Sequence, residues 1–123
     1  MGDDIRKYEL LDKHRYIILT KVRVNIDKYP ALFNHLKRYE IQLEKRWDKG
    51  NHWWELRPCK YYDKFVLPKI HIHAYGLESR FCLDKGDYVS LNLAHFIPKD
   101  DKYLLGLLNP KVSWYFFGKL YRF

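Results

Sequence analysis

The spacing of apolar positions changes several times along the chain, and each change marks an element. Over residues 15–24, Arg-Tyr-Ile-Ile-Leu-Thr-Lys-Val-Arg-Val, β-branched side chains dominate, which predicts one strand or two short ones. From Pro30 the period lengthens. Leu32, Leu36, Tyr39, Leu43 and Trp47 recur every three or four residues, with Lys37, Arg38, Glu44 and Lys45 opposite them. That pattern predicts one long amphipathic helix. Pro30 suits its first position, and Gly50 would end it in the left-handed conformation.

Residues 51–64 lose the period and read as a loop. It is long for a connection, and its aromatic residues imply that it packs down. Residues 65–75 return to period two after Pro68. Lys69, His71, His73 and Tyr75 fall on one face, and Ile70 and Ile72 on the other. Phe81–Leu83 is a second strand, 84–87 a Gly-containing turn, and Tyr88–Ile97 a third strand, so a hairpin is expected there. Asp100 or Asp101 would cap a helix with Tyr103, Leu104, Leu107 and Leu108 on its apolar side. Pro110 opens a last helix, 110–121, built around Trp114, Phe116, Phe117 and Leu120. The expected fold class is α+β. It is a single domain, 1–123, with a mixed or antiparallel sheet, a long helix in the N-terminal half and two C-terminal helices.

Composition narrows the function classes. Of the 123 residues, 47% are apolar, enough for a real core, so disorder is excluded. No run approaches the roughly 18 apolar residues of a membrane helix, so no membrane partner is expected. Nothing at the start reads as a secretory signal. Cys59 and Cys82 stand in unrelated contexts, which fits two reduced thiols and a cytoplasmic protein. Lys and Arg number 23 against 15 Asp and Glu, a formal charge of +8 that favours a polyanionic partner.

Candidate catalytic chemistry is thin. His71 and His73 share a strand face and would need His95 or Asp87 from a neighbouring strand to hold a metal. A surface pair without metal is the simpler reading. Asn109-Pro110-Lys111-Val112 has the first two residues of an amino-methyltransferase motif but lacks the aromatic that stacks on a flipped base. A helix end followed by a helix start explains it. Pro98-Lys99-Asp100-Asp101-Lys102 places its acids side by side, as a helix cap does, not on separate strands as a nuclease site requires. No glycine-rich nucleotide loop or nucleophile elbow occurs.

What remains is the basic and aromatic stretch. Arg57 is held extended by Pro58, and Lys60, Lys64 and Lys69 follow. Arg reads guanine edges, whereas Lys more often holds phosphate. By charge and expected facing, Lys37, Arg38, Lys45, Lys49 and Lys60 are the candidate phosphate contacts. Arg57, Lys69, His71 and His73 are the candidate base readers.

Three segments carry a resemblance. The first is Tyr29-Pro30-Ala31-Leu32 … Leu43-Glu44-Lys45-Arg46-Trp47-Asp48-Lys49-Gly50, followed by His52-Trp53-Trp54-Glu55-Leu56-Arg57-Pro58-Cys59. The second is Phe96-Ile97-Pro98 with Asp101-Lys102-Tyr103-Leu104-Leu105-Gly106-Leu107-Leu108-Asn109. The third is the opening Gly2-Asp3-Asp4-Ile5-Arg6-Lys7-Tyr8. Taken in chain order, these segments resemble the TaqI-like C-terminal specificity domain over nearly the whole chain. The resemblance departs at Ile70-His71-Ile72-His73 and over 76–95.

It implies a prokaryotic target recognition domain of an adenine-specific DNA methyltransferase or restriction–modification enzyme. Such a domain binds double-stranded DNA beside a methyltransferase catalytic domain or subunit and has no catalytic residue or metal of its own. S-adenosylmethionine is expected only in that catalytic domain, and this chain would be an excised fragment or a stand-alone module. Two rivals are a module that docks on a separate subunit through the apolar C-terminal helix, and a small metal enzyme using His71, His73 and His95.

Overall fold

The fold was analysed in a computed structural model that describes residues 4–73, 76–90 and 94–120. Helices and antiparallel sheets make it α+β. Two compact units are present. One is Tyr16–Lys60, and the other joins Met1–Arg15 to Tyr61–Phe123.

The second unit holds both sheets. Strands β1 (Ile5–Arg6) and β2 (Glu9–Leu10) form a short antiparallel hairpin, with Tyr8 at φ 65° in its turn. Strands β3 (Lys69–His73), β4 (Phe81–Asp84) and β5 (Ala94–Ile97) form an antiparallel sheet in the order β4-β3-β5. The expected hairpin between the last two strands is therefore corrected: both pair with β3, on opposite edges. The expected strand from Tyr88 is shorter, running from Ala94, and the one from residue 65 begins at Lys69 because Tyr62–Val66 forms a 3-10 turn.

Register sorts the faces. Ile70 and Ile72 stand opposite Leu83 and Phe81 on one side and Ile97 and His95 on the other. This apolar face packs on the two C-terminal helices of the same unit. Its core is Ile70, Phe81 and Leu105, joined by Ile72, Leu83, Ile97, Leu104, Leu108 and Phe117. Burying each large apolar side chain contributes roughly 1.5–3 kcal/mol.

The helices, in chain order, are α1 (Pro30–Lys37) and α2 (Glu40–Glu44) in the first unit, and α3 (Lys102–Leu108) and α4 (Lys111–Leu120) in the second. The cap of α3 follows local chemistry, since Asp101 Oδ1 accepts the Leu104 N–H at 2.8 Å. Asn109 separates α3 from α4. Its side-chain oxygen accepts the Phe81 N–H at 3.0 Å and its amide donates to the Phe81 carbonyl at 2.9 Å. The Asn-Pro motif thus closes a strand edge.

The first unit departs furthest from expectation. Residues 15–24 form no strand. Val24 N–H donates to the Lys21 carbonyl, and Arg23 turns the chain at φ 68°. The segment is held instead at Thr20, whose carbonyl accepts the Leu56 N–H at 2.8 Å and whose hydroxyl donates to the Trp54 carbonyl. The single long helix is also corrected. At Arg38 and Tyr39 the bonds tighten to the i−3 carbonyls of His35 and Leu36, and Tyr39 leaves helical geometry at φ −113°, ψ 10°. The second helix stops at Glu44, so Gly50 does not cap it. Gly50 is required by space: a Cβ there would lie 2.6 Å from Glu55 Oε2 and 2.9 Å from Val22 Cγ2. Tyr75, Leu91–Leu93 and the end of the last helix from residue 121 lie outside the described residues.

Candidate nucleic-acid interface

The first unit is built around one buried carboxylate. Glu55 is 1% exposed and accepts the N–H groups of Arg23 at 2.8 Å, Asn51 at 2.7 Å and His52 at 3.1 Å. Burial alone would raise its pKa, but these three donors prevail and hold it below the ordinary value. The carboxylate ties the Lys21–Arg23 turn to the 49–56 ribbon, which is closed by a bridge between Lys49 and Leu56 and by Gly50 N–H to the Glu55 carbonyl.

Aromatic rings brace the ribbon. Phe33 of α1 lies 5.7 Å from both Trp53 and Trp54, and His52 stacks on Trp54 at 4.4 Å. Arg46 completes the frame, donating to the carbonyls of Leu43, Trp53 and Glu55. Sequence reasoning did not assign Glu55 or Arg46 these parts. The backbone groups that Glu55 accepts from, and most of those that Arg46 donates to, are brought against them only by the fold.

On this frame the excess of positive charge is concentrated. Residues 16–60 hold ten Lys and Arg against five Asp and Glu, so this minority of the chain carries five of its eight net charges. Lys37 and Arg38 sit where α1 breaks, Lys45 caps α2, and Arg57 and Lys60 follow the ribbon; all five are exposed. Lys49 is half-buried and its ammonium donates to the Glu44 carbonyl at the end of α2, which gives it a helix-capping task.

The other candidates lie in the second unit and differ in kind. The sequence puts Lys69 and His71 on an open sheet face; the structure buries them. The Tyr62–Val66 turn covers that face, with Phe65 against Phe96 at 5.4 Å. Lys69 is 0% exposed and its ammonium donates to Asp84 and to the Phe65 and Leu67 carbonyls, which uses its three protons. His71 Nε2 meets Asp84 Oδ2 at 2.9 Å and its Nδ1 meets the Ser90 hydroxyl at 2.6 Å. These two are corrected from base readers to internal struts, because neither has a polar atom left to offer. His73 is half-buried.

Asp84 collects five donors: Lys69, His71 and the N–H groups of Gly86, Asp87 and Tyr88. Burial opposes its charge, but these donors outweigh it and hold the carboxyl at about 2. Desolvation pushes His71 below its ordinary value, although Asp84 pulls the other way. A neutral His71 then donates from Nε2 to Asp84 and accepts from Ser90 at Nδ1, a tautomer inferred from the network. The Ser90–His71–Asp84 chain has the composition of a hydrolytic triad. Its Asp is already neutralised by Lys69, however, so it offers little support to an imidazolium, and a general base needs that support. The metal rival fails on register: His95 pairs with Ile72 and so lies on the face opposite His71 and His73.

A family model for the TaqI-like C-terminal specificity domain matches residues 1–123. The chain belongs to this family. No curated protein matches the chain. As a TaqI-like specificity domain, it belongs to a family associated with target recognition beside methyltransferases, and the family is normally non-catalytic.

Proposed function

We propose that this TaqI-like specificity domain binds double-stranded DNA through residues 16–60. Lys37, Arg38, Lys45 and Lys60 hold phosphates and Arg57 reads a base edge. The observation that carries the reading is the excess of cations, these five all exposed, on one aromatic-braced unit of a chain whose family is associated with target recognition. Phosphate contacts fix register and orientation, while an Arg fork can distinguish guanine. In the parent protein, an S-adenosylmethionine-dependent adenine-N6 methyltransferase domain would do the chemistry, within a prokaryotic cytoplasm.

A salt titration of binding to random-sequence duplex DNA, with sequencing of the retained fraction, tests this. Four phosphate contacts predict a log–log salt slope of about −3.6. Enrichment of a short sequence establishes recognition by the isolated chain. No binding at low salt refutes the reading.

A specific observation favours a second surface. On α3 and α4 the side chains of Tyr103, Leu107, Val112, Tyr115, Phe116 and Leu120 are all exposed. Phe117, by contrast, packs on Phe81 at a ring distance of 6.4 Å. An apolar face of this kind marks a protein contact, and it suits docking on a methyltransferase domain or subunit. Size-exclusion chromatography of the chain with a Phe116→Glu change tests it: monodisperse behaviour of the variant and self-association of the parent support the contact.

A further inference from the structure

Trp47 belongs by spacing to the apolar stripe of the expected long helix, yet its side chain is 102% exposed. The reason is local. The helix ends at Glu44, and Arg46 turns inward to three backbone carbonyls, which sends the next residue outward. Both flanks are fastened. Arg46 is held on one side; on the other, Lys49 caps the Glu44 carbonyl and bridges to Leu56. The ring therefore projects from a fixed stretch of backbone, and little backbone freedom remains to be lost when it meets a partner.

A wholly exposed indole leaves a large flat apolar surface in water. Its setting selects the partner. Lys45 and Lys49 lie two residues to either side, Asp48 is the single acid in that stretch, and the unit carries the excess of positive charge described above. An apolar protein patch would satisfy the ring but not the cations. A nucleic acid offers a π-face for the ring and phosphates for the cations together.

We propose that Trp47 stacks on a nucleobase of the bound DNA, as an aromatic probe on a fastened stretch of backbone beside the phosphate contact of Lys45. Insertion beside or between bases would locally unstack the duplex and make binding sensitive to how easily a step opens. The proposal rests on the DNA-binding reading of residues 16–60 and adds to it a stacking residue.

The test compares the full chain with Trp47→Ala and Trp47→Phe, using a labelled random-sequence duplex over a range of salt. Trp47→Ala is expected to weaken binding by about 5- to 150-fold. Trp47→Phe should stay within a few-fold of the parent, and the salt slope should be unchanged in both. Thermal melting should not move, because the ring is outside the fold. Acrylamide quenching gives an independent readout: the emission component that Trp47→Phe removes should be freely quenched in the free chain and shielded in the DNA complex. Equal affinity of Trp47→Ala and the parent overturns the proposal, and so does a Trp47 that stays quenchable in the complex. Loss of self-association with unchanged DNA affinity would overturn it in favour of a protein contact. If the parent shows no salt-dependent binding, the DNA reading and this inference fall together; if the parent binds and the variant matches it, only the stacking role falls.

Discussion

Replacing Asp84 by Asn separates the buried network's charge from its shape. The amide keeps the size of the carboxyl group but strands the Lys69 ammonium at 0% exposure, with the Phe65 and Leu67 carbonyls as its remaining partners. Breaking one member of a buried ion pair costs ~3–5 kcal/mol. Part of that is visible in the titration of Asp84. A fall from 3.8 to about 2 corresponds to roughly 2 kcal/mol favouring the folded carboxylate. The remainder is the price of the uncompensated lysine. The folded value lies below the unfolded one, so this contribution is complete above the unfolded value of 3.8 and is lost as pH falls toward 2.

Urea denaturation followed by far-UV circular dichroism, repeated between neutral and acid pH, measures both effects. At neutral pH the variant's midpoint should fall by at least about 1 M, and its acid loss of stability should be flatter than the parent's. Adding Lys69→Met to Asp84→Asn removes the stranded charge and should recover part of the loss. A single variant within experimental error of the parent, or a double variant worse than the single, would refute the account of the pair.

Three further outcomes follow from the same geometry. Gly50→Ala places a methyl group against Glu55 and Val22, and Glu55 is fixed by three N–H groups, so a destabilisation of about 1–3 kcal/mol is expected in the thermal melt. His71 is held neutral below its ordinary value of 6.5, so its contribution is full above that value and declines as pH falls below it; His71→Gln should flatten stability over that range, and an unchanged pH profile would count against the buried neutral imidazole. Lys45→Ala should weaken binding to every duplex and reduce the salt slope by about 1, whereas Arg57→Ala should cost ~1–3 kcal/mol at one base position; identical effects on all sequences would show that the two residues do not divide the work in this way.

Elements with local signals were legible in the sequence. The helix cap at Asp100 or Asp101, which the structure places at Asp101, the Asn109-Pro110 break and the alternation of Lys69 to His73 each depend on residues within a few positions. The Asp84–Gly86 turn was readable too: Gly86 adopts φ 118°, and a Cβ there would strike the Val66 carbonyl. What was not legible was partner choice. Strand β4 precedes β5 in sequence, yet both choose β3, because pairing is decided by which faces can be buried together. The β-branched run 15–24 has strand propensity but no ladder to join, and a left-handed Arg23 bends it to a side-chain carboxylate instead.

The shared face of Lys69 and His71 was legible in the sequence, and its burial was not. Period two correctly put Lys69 and His71 on one face, but it does not say whether that face meets water. The answer lies in Asp84, fifteen residues beyond Lys69, which supplies the charge that makes burial tolerable, and in the aromatic turn that covers both. Trp47 is the inverse case. Its spacing promised burial, and a helix that ends three residues before it, at Glu44, leaves it exposed. Polar residues turned inward and an indole turned outward are local violations of hydrophobic patterning. The buried set is explained by satisfied partners within the fold, whereas Trp47 has no such compensation. That asymmetry is why the exposed ring, rather than the histidines, is the residue whose role must be sought in a partner.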